Sequence, residues 1–268
     1  MPVPHLNNIL ASLLFWLLGS VLTYALATNA LWLARSFFPL RARDRHPERS
    51  EGSLSALARF FASLRRTWTG WLWQIGRFLF YVGIPYLVLG GWPRRPFQGL
   101  LSLEDMGLVG PGGSWTVSRW LEAAGTGLGL GTAALMILFL ARRHANNLPH
   151  FPRHPQWAIV INVAYLEVHW AFYRAASALL LGDRYLGVFA GLGLVYVEWV
   201  VSPLWRRGWR QESQAAGQWL RAALALVIAV LFFLAQNLWI CLAVHCLLEL
   251  VFYSHNRQKA HTSPAVVG

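Results

Sequence analysis

The residues of this chain best suited to chemistry are Glu167, His169, Arg174, Glu198, His245 and Glu249, because each is ionisable and each falls within an otherwise apolar stretch. A carboxylate can serve as general base, an imidazole as base, oxyanion donor or metal ligand, and a guanidinium as an anchor for either. Their spacing groups them. Glu167 and Arg174 are seven apart, two helical turns, and fall on nearly one face, where they could share one polar stripe. His245 and Glu249 are four apart and point to one side of a helix, close enough to share a water or a metal ion. Glu198 stands alone in its stretch, beside Trp199 and four residues before Ser202.

Charged groups in apolar surroundings are costly. At roughly 2.5–3.5 kcal/mol each at the centre of a bilayer, Glu167, Glu198, Glu249, Arg77 and Arg174 would together cost on the order of 12–18 kcal/mol if they faced lipid, so they must face protein or pair. Each also has a purely structural reading. Glu167 with Arg174 can be an intramembrane ion pair, His169 a donor to a neighbouring carbonyl, and Glu198 a neutral carboxyl satisfied by an adjacent helix. Arg77 reads as a side chain that snorkels to the interface. For His245 with Glu249, function outweighs packing, because two ionisable groups on one face of a membrane helix are seldom kept for packing alone.

The elements that must position these residues follow from composition. The 268 residues are 56% hydrophobic and only 13% charged, with a mean hydropathy of +0.41, which predicts an all-α polytopic membrane bundle. Seven apolar stretches, about 9–33, 69–92, 119–141, 157–181, 186–204, 219–235 and 238–254, approach the ~17–25 residues that a helix needs to span a bilayer. An amphipathic interfacial helix over 54–66, with Leu54, Leu57, Phe61 and Leu64 opposite Arg59, Arg65 and Arg66, would make eight segments. Only Gln236 and Asn237 separate the last two stretches, predicting a tight helical hairpin or a partly re-entrant segment. Trp32, Trp71, Trp120, Trp157, Trp205 and Trp219 flank apolar runs as interfacial anchors.

The formal charge of +12 follows the loops. Eight Arg fall in residues 35–66, three in 142–153, four in 206–221, and an Arg and a Lys in the tail, against Arg94, Arg95, Arg119 and Arg184 on the other side. That bias predicts the N-terminus outside and the C-terminus in the cytoplasm, with a first stretch that is a retained span. It argues against nucleic acid as a partner and for the lipid bilayer. The chain reads as one membrane domain, 1–268, with an Arg-rich linker at 41–66.

Gly125, Gly127, Gly129 and Gly131, and further on Gly187 and Gly191, form small-residue faces for close helix approach. A nucleotide-binding reading of the first run fails, since no strand precedes it. Cys241 and Cys246 are five apart on one helix and diverge by roughly 140°, which excludes a disulfide within it. Cys246 beside His245 is equally poorly placed as a nucleophile.

The segment Gln236-Asn237-Leu238-Trp239-Ile240 leading to His245 and Glu249 resembles the last motif of the CAAX protease and bacteriocin-processing (CPBP) intramembrane protease family. There an Asn-Leu-Trp start leads to His and, four later, Asn. His169-Trp170-Ala171-Phe172-Tyr173-Arg174 is similar to that family's first motif, two adjacent glutamates followed after three residues by Arg. Leu103 to Trp115, with Gly107-Leu108, resembles the family's loop before the core, so the resemblance covers about residues 100–254. His169 stands where the family has its water-activating glutamate, Trp170 replaces the second glutamate, and Glu249 takes the place of Asn. Between Leu186 and Leu204 no histidine matches the middle motif, and Glu198 is the polar residue there.

The resemblance implies a membrane hydrolase that cleaves a membrane-embedded or prenylated peptide, and a bacterial cytoplasmic membrane as its location. A rebuilt site would use Glu167 or Glu249 as general base, Arg174 as the family's retained anchor, and His169 and His245 as oxyanion donors. In a metalloprotease form, His169, His245 and Glu249 would hold a divalent metal such as zinc. The alternative is a catalytically inactive relative acting as a membrane binding or scaffold protein, with the polar residues as an internal lock. A proton-coupled transporter ranks third, because the spans show no inverted repeat.

Overall fold

A computed structural model describes residues 3–37, 71–90, 100–144 and 155–262. The 41–66 linker, the expected interfacial helix, Arg94, Arg95 and most of the 142–153 loop lie outside the described residues. Those described form an all-α bundle without strands: α1 (Val3–Phe37), α2 (Trp71–Leu89), α3 (Val117–His144), α4 (Gln156–Leu181), α5 (Arg184–Val201), the short α6 (Pro203–Arg210), α7 (Glu212–Ala235) and α8 (Leu238–Thr262). Five stretches are long and apolar enough to cross a membrane: Asn8–Ala34, Trp71–Leu89, Val117–Leu140, Arg184–Val201 and Gln214–Ala235. Leu238–Val251 is a shorter apolar stretch.

α4 has no place among those five, and its surroundings give the reason. It carries Asn162, Glu167, His169 and Arg174, which lower its hydropathy, yet it packs against α1, α2, α5 and α8 and is buried continuously from His169 to Ser177. A helix enclosed by protein can carry polar groups that a lipid-facing one cannot. The outer helices show the converse, with Phe15, Leu18, Leu22 and Leu26 of α1 and Leu121, Leu128 and Met136 of α3 exposed.

Two local devices bring the outer helices onto α4. α2 contains a π-helical turn, Leu79–Gly83, an insertion that shifts side-chain register. It sets the Phe80 and Tyr81 rings 4.9 and 5.1 Å from the His169 ring. On α5, Gly187 and Gly191 lie against the backbone of Ala178 and of Tyr173–Arg174. On α3, a Cβ on Gly127 would meet Ile240 and Val244 of α8 and one on Gly131 would meet Val244, whereas one on Gly125 or Gly129 would meet nothing within 4 Å. The small-residue faces therefore do pack helices, through half of the glycines in the α3 run.

The expected tight hairpin is present at Gln236-Asn237. Gln236 closes α7 in the left-handed region with φ of 50°, and the Asn237 side chain accepts hydrogen bonds from the Trp239 and Ile240 amides at 2.9 and 3.2 Å, capping α8. The 100–116 loop folds over this turn. The Leu238 amide donates to the Gly107 carbonyl at 2.9 Å, and the Trp239 indole donates to the Leu108 carbonyl at 2.9 Å. Gly107 has φ of +73°, and a Cβ there would fall 2.7 Å from the Gln236 carbonyl oxygen, so glycine is required twice over. Asn237→Ala is expected to lower stability by about 1 kcal/mol, the usual worth of an N-cap, read as a lowered melting temperature in detergent.

Two helix boundaries depart from the sequence reading by seven residues or more: α8 runs on to Thr262, past the expected 254, and α7 starts early. α7 begins at Glu212 rather than near residue 219, and the stretch before it forms α6, because Pro203 starts a new helix where it would break the old one. Gly208 of α6 fits against the Gln218 side chain of α7.

Candidate functional site

The ionisable residues of the core are organised by the two sides of α4. At about 100° per residue, Glu167 and Arg174 share a face, while His169 and Tyr173, one turn apart, share a face roughly 120–160° away from Glu167. Two separate networks result.

On the first face, Glu167 receives partners on both carboxyl oxygens. Arg174 donates to Oε2 at 3.2 Å, and His245 Nδ1 of α8 lies 2.7 Å from Oε1. The three side chains are 1–2% exposed. Trp170 stacks on the His245 ring, with centroids 5.3 Å apart and planes 17° off parallel. The Arg174 guanidinium also lies over the Phe232 ring of α7 at 4.2 Å, so α4, α7 and α8 all meet at this group.

On the second face, Glu198 of α5 accepts from the Tyr173 hydroxyl at 2.5 Å and hydrogen-bonds His169 Nε2 at 3.1 Å, both on Oε1. The Tyr173 hydroxyl also meets Ser20 Oγ of α1 at 3.0 Å. His169 is fully buried and Glu198 is 2% exposed. His169 Nδ1 has no hydrogen-bond partner, and neither has Arg174 Nε.

The sequence expectations are met unevenly. Glu167 and Arg174 do share one stripe, and Glu198 is satisfied by its neighbour helix. His245 is not paired with Glu249. It turns to Glu167, while Glu249, one turn further along α8, lines a groove with α3 and α7. The set His169, His245 and Glu249 is therefore not brought together, since His169 serves the opposite side of α4. Among the described residues no group of three His, Cys, Asp or Glu side chains could hold a metal ion. Arg77 is half-buried, bonds the Asn162 side chain of α4 and sits 5.8 and 5.7 Å from the Tyr81 and Tyr165 rings, so it is held by protein rather than reaching away. Cys241 and Cys246 are both free thiols.

Sequence reasoning missed Tyr173, Ser20 and Trp170 as partners. Tyr173 was findable, being four residues after His169 and on its face. Nothing in α1 marked Ser20. A crevice between α4, α5 and α7, touching Trp170, Arg174, Gly191 and Val195, has a volume of about 10 Å³, room for about one water molecule. Comparison with protein-family models, with curated proteins and with solved structures gave no match.

Proposed function

We propose that this chain is a catalytically silent relative of the CPBP intramembrane proteases, a membrane binding or scaffold protein whose buried polar groups lock the bundle. In this reading seven segments are embedded, the five long apolar helices with α4 and the apolar part of α8. The observation that carries it is the pairwise closure of the core. Each buried carboxyl is already held by an imidazole and a second donor, on opposite sides of one helix, and the adjoining crevice has space for a water but not for a peptide.

A hydrolytic reading has one specific support, the Glu167–His245 contact of 2.7 Å anchored by Arg174, an acid–imidazole pair of the kind that activates water. The two readings separate in a cleavage assay. The full-length chain, reconstituted in vesicles with a quenched fluorescent peptide carrying a membrane anchor, is expected to cleave no faster than the Glu167→Gln/Glu198→Gln variant. Cleavage that falls at least tenfold in His245→Ala overturns the silent reading and establishes the enzyme.

A further inference from the structure

Between α5 and α7 the chain changes character. The short helix α6 (Pro203–Arg210) carries Arg206, Arg207 and Arg210, and no Asp or Glu occurs between Glu198 and Glu212. Two bilayer-length stretches meet at it, Arg184–Val201 before and Gln214–Ala235 after. At about 1.5 Å per residue the first is about 27 Å long, close to the hydrocarbon thickness of about 30 Å. α6 therefore stands where both stretches leave the apolar layer, at the level of the headgroups.

This helix is two-sided. At about 100° per residue, Arg206, Arg207 and Arg210 fall within an arc of about 100°, while Leu204, Trp205, Gly208 and Trp209 fill the opposite side. All three arginines are exposed, and their side chains make no hydrogen bond or ion pair among the described residues. The apolar side, in contrast, is fixed to the bundle. A Cβ on Gly208 would collide with the Gln218 side chain of α7. Trp205 stacks on Trp199 of α5, with centroids 4.4 Å apart and planes 9° off parallel, and Trp209 meets Trp219 of α7 edge-on at 4.7 Å. α6 packs on α1 as well, so three helices hold its arginines outward as one rigid group.

We propose that the arginine face of α6 binds the headgroups of anionic phospholipids. Charge and depth together select that occupant. A guanidinium forks onto a phosphate through two parallel hydrogen bonds, and basic residues beside a membrane draw anionic lipid to them. Indole rings favour the same boundary, and Trp209 and Trp219 are both partly open there. A zwitterionic lipid would bring its own ammonium toward three like charges, with no carboxylate on α6 to receive it.

The test counts phospholipids by native mass spectrometry on the full-length chain, extracted from vesicles holding equal phosphatidylglycerol and phosphatidylcholine with the same acyl chains. Wild type is expected to retain phosphatidylglycerol about tenfold over phosphatidylcholine. Arg206→Gln/Arg207→Gln/Arg210→Gln should bring that preference below about twofold, since it removes the three guanidinium groups and keeps the apolar side. Arg41→Gln/Arg43→Gln/Arg45→Gln removes the same charge from the linker and should leave most of the preference in place. Equal retention of the two lipids by wild type, or an unchanged preference in the α6 variant, overturns the proposal. So does an equal loss in both variants, which would assign the preference to the charge of the whole molecule and not to α6.

Discussion

Arg174→Ala is expected to destabilise the bundle by about 3–5 kcal/mol, the cost of breaking a buried ion pair from one side. Its guanidinium donates to Glu167 at 3.2 Å from within the same helix and covers the Phe232 ring. Without it Glu167 keeps only His245 to answer its charge, at a site 1% exposed. The physical cause is asymmetric: an unpaired buried charge bears its full desolvation cost, while an absent pair bears none. The triple variant Glu167→Leu/Arg174→Met/His245→Leu, which replaces the whole network with apolar side chains, is therefore expected to recover most of the lost stability. Thermal unfolding followed by tryptophan fluorescence checks both. A triple variant as unstable as Arg174→Ala would mean that the network is not separable from the packing around it.

This result bears on the proposed silence of the core. If Glu167, Arg174 and His245 only hold the bundle together, their joint replacement by apolar side chains costs little stability and abolishes no reaction. If they act on a substrate, joint removal abolishes a reaction whatever it does to stability.

How far the sequence could be read follows from what helical periodicity encodes. The apolar runs located α1, α2, α3 and α5 within a few residues, because hydropathy and length together define a bilayer-length helix. α7 was placed seven residues late, since Glu212 to Gln218 are mostly polar and small and read as loop. The seven-residue interval placed Glu167 and Arg174 on one stripe correctly, as both lie on one helix. The His169–Glu198 and His245–Glu167 contacts were not legible, because periodicity says which face a residue occupies and not which helix comes to meet it. The resemblance led to the same limit: it gathered His169 and His245 into one site, although two residues separate His169 from Glu167 and turn them to opposite sides of α4.

The distance between α4 and α5 is set by glycine, and Gly187→Ala or Gly191→Ala is expected to cost about 3 kcal/mol, the upper part of the usual overpacking range. A Cβ on Gly191 would lie 2.8–2.9 Å from the backbone of Arg174 and Tyr173, and one on Gly187 would fall within the Ala178 backbone. Backbone cannot swing aside as a flexible side chain can, so α5 itself must lift. Glu198 is seven residues beyond Gly191, on nearly the same face of α5. Lifting α5 therefore stretches the 2.5 Å Tyr173 and 3.1 Å His169 hydrogen bonds to Glu198. The two substitutions should combine to less than the sum of their separate effects, because the first displacement already makes room for the second. Glu198→Gln should cost less in a Gly191→Ala background than in wild type, since its hydrogen bonds are already weakened. Melting temperatures across the four combinations decide it: strictly additive losses would show that close packing and the Glu198 network hold α5 independently.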